Sequence, residues 1–182
     1  GIQLHIDIGQ WGGGNAITLQ DGSEWYGLDL LEQEQLDYEA DNKYLFDIKK
    51  DNFDKDRIGL FYYSIFVHEK RGTSGQAKPG GNFYVALRHN ASITKKSGTL
   101  MHEFGHTLQL GHGGRYSDRL EYDNTHFKPN YRSIMNYHFQ LGGIPVRTET
   151  DDIIYVLDYS NEELPNLDET FGIDERAGII SP

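Results

Sequence analysis

The sequence predicts a mixed α/β (α+β) domain: a twisted mixed sheet packed on one helix, followed by a loop-rich C-terminal part. Three observations predict it. Runs of β-branched and aromatic residues with strand character recur at 2–9, 58–69 and 82–89. After the last of them, Leu100, Phe104 and Leu108 fall at successive four-residue steps, the spacing of a helix with an apolar stripe. From about residue 113 onward Gly, Asn, Asp, Tyr and Pro dominate, a composition of turns and loops.

IQLHIDIG (2–9) alternates Ile2, Leu4, Ile6 and Ile8 with other residues, which is the period of a strand with one buried face. WGGGN (11–15) ends it. That glycine run lacks the Lys and Ser/Thr spacing of a phosphate loop and is expected to be a turn. Residues 28–57 are acidic and place Leu28, Leu31, Leu36, Leu45 and Phe46 at loosely helical spacing, so a helix or irregular helix is expected there. Asp54, Asp56 and Gly59 echo a calcium loop. Ile58 occupies a ligand position and no Glu closes the loop, so a calcium site has no support.

IGLFYYSIFVHE (58–69) has the composition of a central strand, RGTSGQAKPGG (71–81) that of a polar loop, and NFYVALRH (82–89) that of another strand. Ser97 or Thr99 is expected to cap a helix beginning near Gly98. Asn90-Ala91-Ser92 forms a glycosylation sequon, meaningful only in a eukaryotic secretory setting. Beyond 113, short helices are expected near 151–159 and 168–176. No internal repeat is present.

The bulk numbers exclude several classes. At 182 residues the chain fits one domain with room for two subdomains around a cleft. The charge is 17 − 28 = −11, which disfavours a nucleic-acid partner because phosphate binding needs clustered Lys and Arg. With no cysteine, disulfides, thiolate nucleophiles and Cys-based zinc sites are ruled out, so any metal must be held by His and carboxylates. No run approaches the roughly 18 apolar residues of a membrane helix. From the start at Gly1, without Met or an apolar leader, an excised or mature piece is expected.

HEFGHTLQLGH (102–112) carries the chemistry. Residues four apart lie one turn above each other on a helix, so His102 and His106 project from one face and can aim at a single ion. Glu103 is about 100° around from His102, which puts its carboxylate beside the ion, where it can hydrogen-bond a water on it. Histidines on helices are more often ordinary packed or surface residues. An accidental HExxH in a chain of this His content has a probability on the order of a few per cent, and a further His six residues on cuts that more than tenfold. Three imidazoles with a fourth position open to water match a catalytic rather than a structural zinc.

The motif resembles the elongated zinc signature HExxHxxGxxH of the metzincin metallopeptidases, and SIMNY (133–137) resembles their Met-turn. GTLMHEFGHTLQLGHGG, KPNYRSIMNYHFQ and HEKRGTSGQAKPG are similar to a group of bacterial and archaeal zinc metallopeptidases, over most of residues 2–175. The resemblance implies a zincin-like catalytic domain, with sheet and active-site helix in an N-terminal subdomain (1–112) and the Met-turn in a C-terminal one (113–182). It implies His102, His106 and His112 as ligands of one catalytic Zn2+, Glu103 as general base and acid, and Met135 as the Met-turn residue. Tyr137 is either the tyrosine that steadies the oxyanion or a packed turn residue.

The activity so implied is endopeptidase action on protein or peptide substrates through a zinc-bound water, by an exported monomer. Two alternatives stay open: a catalytically silent binding or adhesion module, and a zinc hydrolase of a non-peptide amide. The strand at 82–89 is the expected cleft edge, and Phe139 and Leu141 the expected pocket lining.

One departure stands out. Gln109 replaces the glycine that bends the family's chain toward the third ligand, so either Gln109 takes a left-handed conformation or Gly111 supplies the bend. Were the helix to run straight on, His126, Asp118 or Asp123 would be the next ligands. Otherwise His5, His68, His89, His126 and His138, each alone on its segment, are expected in packing or surface roles. Gly113 follows the third histidine where several metzincin branches carry Ser, Asp or Glu, so no branch is assigned.

Overall fold

β-Branched and aromatic residues build a small mixed sheet. In the computed structural model, the described residues are 49–50, 53–67, 72–78, 81–88, 90–114 and 123–160. The expectations at 2–9, 11–15, 28–48 and 168–176, with His5, His68, His89 and Asp118, lie outside them. Strands β1 (Tyr63–Val67), β2 (Gly75–Lys78) and β3 (Asn82–Ala86) form one sheet in the order β1-β3-β2. β1 runs parallel to β3, with Ile65 opposite Tyr84, and β2 runs antiparallel to it, with Ala77 opposite Phe83. All five β3 side chains are buried, as in a strand covered on both faces.

This arrangement corrects two expectations. Residues 82–86 cannot be a cleft edge, because both sides of β3 are taken by other strands. The outer position beside it belongs to β2, inside the stretch read as loop. Gly75, Gln76 and Lys78 carry little strand preference, and the pairing to β3 supplies what local sequence does not. The strand expected over 58–69 covers only 63–67 of its described part. Lys55–Arg57 form a 3-10 turn capped by Asp54, whose carboxylate accepts from Asp56 N at 3.0 Å.

Helix α1 (Ile93–Thr107) begins five residues before the expected start, because Ser92 rather than Ser97 or Thr99 is the cap, accepting from Lys95 N at 3.3 Å. It packs on β2 and β3. Phe104 meets Tyr62 edge-on, with ring centroids 5.1 Å apart, and lies 6.2 Å from Phe83. The deepest residues of the helix are not the stripe of Leu100, Phe104 and Leu108, which is only half-buried. They are Gly98, Thr99, His102, Glu103 and Gly105, so the face that carries His102 and Glu103 is the most buried.

The C-terminal part contains more structure than its composition predicts. A short helix α2 (Tyr137–Gln140) packs against α1, and β4 (Ile144–Arg147) pairs antiparallel with β5 (Ile153–Val156). β5 replaces the helix expected near 151–159, in keeping with its run of Ile153, Ile154, Tyr155 and Val156. Tyr159 Oη donates to Met101 O (2.6 Å), tying this part to α1, and within the part Ile134 N donates to Asp158 O (2.8 Å). Among the described residues no helix is long and apolar enough to cross a membrane.

Candidate metal centre

Two imidazoles come from α1, and backbone carbonyls aim them. His102 Nδ1 lies 3.0 Å from Ile134 O, and His106 Nδ1 lies 2.9 Å from Leu110 O. A carbonyl oxygen can only accept, so each Nδ1 carries the proton and each Nε2 presents a lone pair. The two Nε2 atoms face one another at 3.2 Å. Two lone pairs at that distance repel unless a cation lies between them. Nitrogens about 2.0–2.1 Å from a tetrahedral ion stand about 3.3–3.4 Å apart, close to what is seen.

The third imidazole has the clearest need of a partner. Both ring nitrogens of His112 are buried and bonded to nothing. Buried polar atoms are satisfied in the great majority of cases, so an orphaned imidazole beside two lone-pair donors fits a cation. Ligand atoms of His102, His106 and His112 all lie within 4.8 Å of one another, and no other such group occurs among the described residues. Burial pushes the His102 imidazolium down to about 4 and that of His112 to about 3, and lowers that of His106. All three stay neutral, as ligands must.

What bends the chain from His106 to His112 is Gln109. Its φ is +68°, the left-handed region, whereas Gly111 does not adopt a positive φ. Gln109 N donates to His106 O and Leu110 N to Gly105 O, both at 3.0 Å, the paired bonds of a Schellman helix end. The side chain is exposed, so the only cost is backbone strain of about 1–2 kcal/mol. The same turn places Leu110 O where it orients His106.

Beyond His112 the segment is pinned by Asp123. Gly113 N donates to Asp123 O (2.7 Å) and Asp123 N to Gly114 O (3.0 Å), while a β-carbon on Gly113 would meet the Asp123 carboxylate at 2.7 Å. That carboxylate accepts from Thr125 N (2.8 Å) and Lys128 Nζ (3.0 Å). Burial raises its pKa, the Thr125 and Lys128 bonds lower it, and the bonds prevail. Asp123 is therefore an anchor and not the substitute ligand considered from sequence.

Ser133–Asn136 make a tight turn, closed by Asn136 N donating to Ser133 O at 2.9 Å. Asn136 Nδ2 donates to Lys128 O and Tyr131 O, at 2.8 and 2.9 Å, locking the turn to the Asp123 segment. Met135 is fully buried, with Sδ against Gly105; any β-carbon there would collide with the sulfur. Glycine at 105 is what lets the turn approach the helix so closely that Ile134 O reaches His102.

Glu103 is buried beside the histidines, and burial lifts its carboxyl to about 8, against an opposing bond from Ala77 of β2. Gly75 makes room: a β-carbon would stand 2.8 Å from Glu103 Cγ and Oε1. The Tyr137 ring lies 4.3 Å from that of His112 and 5.3 Å from that of His102, and burial followed by the charge of Glu103 raises its phenol. One histidine assigned from sequence to packing or surface belongs here too. His126 stands 4.9 Å from the His112 ring and 4.8 Å from Tyr137. No local signal marks it, since it arrives through the fold of the loop. His138, Phe139 and Leu141 make no ring contact with the trio; His138 instead meets Phe139 edge-on.

Three side chains that could hold a metal ion, one buried carboxylate and one tyrosine thus converge. Compared with known proteins, the chain matches no family model, no curated protein and no solved structure.

Proposed function

We propose that the chain is a zinc-dependent endopeptidase of the metzincin type, with His102, His106 and His112 as the zinc ligands. The observation that carries this reading is the pair of facing Nε2 lone pairs at 3.2 Å with the orphaned His112 ring beside them. Three neutral imidazoles suit zinc among the common ions, and three protein ligands leave a fourth position for reactants. A bound zinc ion supplies Lewis acidity, which acidifies water and polarises a carbonyl.

The chain's own residues do the rest. Glu103, ionised, takes a proton from the attacking water as the O–C bond forms, and hands it to the departing amine nitrogen as the C–N bond breaks. Burial raises the proton affinity of its carboxyl, and a cation held by the neighbouring histidines would favour the ionised form that accepts the proton. Tyr137 donates to the oxygen that gains charge. The zincin-like subdomain arrangement, a monomeric state and export belong to the same proposal.

Among the described residues, the outer strand nearest Glu103 is β2, whose Ala77 bonds to its carboxylate, and it is the edge offered to an extended substrate. A peptide adding to its outer side would pass the site as a further antiparallel strand.

Incubation with a denatured mixed protein substrate, with and without chelator and alongside Glu103→Ala, tests the reading. Chelator-sensitive cleavage lost in the variant is the expected result. Zinc binding without any cleavage would favour a binding module instead, and turnover of small amides alone would favour a different hydrolase.

A further inference from the structure

The loop that carries His126 holds a residue whose conformation and exposure both run against ordinary economy. Phe127 has φ +57° and its side chain is 62% exposed. A bulky residue in the left-handed region is an outlier, and turns that need it take Gly or Asn. An aromatic ring is normally compensated by burial, and here it is not. Backbone strain of this kind clusters where side chains are held for a ligand.

The loop does not hold Phe127 there by looseness. Asp123 at its start is buried and bound to Lys128 at its end, with Thr125 N closing the turn between them. From this frame the rings descend in a series. Phe127 lies 6.1 Å from Tyr137, His126 lies 4.8 Å from Tyr137 and 4.9 Å from His112, and Tyr137 lies 4.3 Å from His112. They form an aromatic wall from the third ligand out to solvent.

We infer that Phe127, whose ring lies beside that of Tyr137, is a specificity-determining residue that receives an aromatic or large aliphatic side chain of a peptide held at the metal. This rests on the metal-site reading above. A side chain leaving a metal-held backbone on the His112 side would run along this wall, with ring-to-ring contact at its outer end. Because the ring is mostly exposed, removing it costs the fold little, and glycine at this position relieves the strain.

The test uses binding to the zinc-loaded chain, read by calorimetry with two probes. Acetohydroxamate senses the metal alone, and a phenylalanine-derived hydroxamate senses the metal and the wall. In Phe127→Ala and Phe127→Gly, affinity for the aromatic probe is expected to fall about five- to tenfold, while that for acetohydroxamate stays within about twofold and the glycine variant melts no lower than wild type. An equal change for both probes, or no change for either, would overturn the inference. If neither probe binds the wild-type chain, the metal-site reading fails and takes this inference with it. If acetohydroxamate binds and the aromatic group adds no affinity in wild type, the wall alone is refuted.

Discussion

Two stretches deliver the three imidazoles, and they are built on different physics. His102 and His106 share one helical turn, so their spacing follows from 3.6 residues per turn and needs only that α1 form. His112 is delivered by a strained turn at Gln109 and a bridge from Gly113 and Gly114 to Asp123, to which Asn136 of the Ser133–Asn136 turn is bonded through Lys128 O and Tyr131 O. The helical pair is local and robust. The third ligand is held by contacts among segments far apart in sequence, and it is there that single substitutions should separate metal binding from folding.

The largest expected effect lies on the helix and leaves the ligands alone. Glu103→Gln should lower peptide turnover about 10²–10⁴-fold, with zinc content by metal analysis unchanged. A parallel loss of zinc would mean that Glu103 holds the metal instead of moving protons.

On the loop side, Asp123→Ala removes the partner of Lys128 and Thr125 without touching a ligand. Outer-shell losses of this type weaken metal affinity about 10–100-fold, and competition with a chromophoric chelator would show it. Unchanged affinity would leave Asp123 outside the support of His112.

Where the two regions touch, Gly105→Ala drives a β-carbon into Met135 Sδ. The expected cost is about 1–3 kcal/mol, at about 2–4 °C of melting temperature per kcal/mol for a chain of this size. The smallest effect has the opposite sign. Gln109→Gly should stabilise by about 1 kcal/mol, with zinc binding retained; a loss of stability would mean that the glutamine side chain makes contacts that outweigh the strain.

The same contrast explains what could be read from the sequence. The i, i+4 histidines and Glu103 are legible because helical geometry converts spacing directly into position. His112 is legible from its spacing as a third imidazole, but not the way it is delivered, since nothing in local propensity says that a glutamine will turn left-handed. β2 was not legible, because Gly75, Gln76 and Lys78 resemble a loop until β3 offers its backbone. The start of α1 is hard to read because several Ser/Thr residues compete as caps, and the one used, Ser92, starts the helix five residues before the expected start near Gly98. β5 was mistaken for helix although its β-branched run favours a strand, and pairing with β4 makes it one. His126 carries no periodic signal, and the Asp123–Lys128 loop alone brings it to the site.

The most direct measurement is X-ray absorption spectroscopy of the zinc-loaded chain, compared with His112→Ala. The account predicts one ion per chain with three imidazole nitrogens and one non-protein oxygen, and the loss of one nitrogen in the variant. An identical ligand shell in the variant, or a wild-type shell with only two imidazoles, would contradict it.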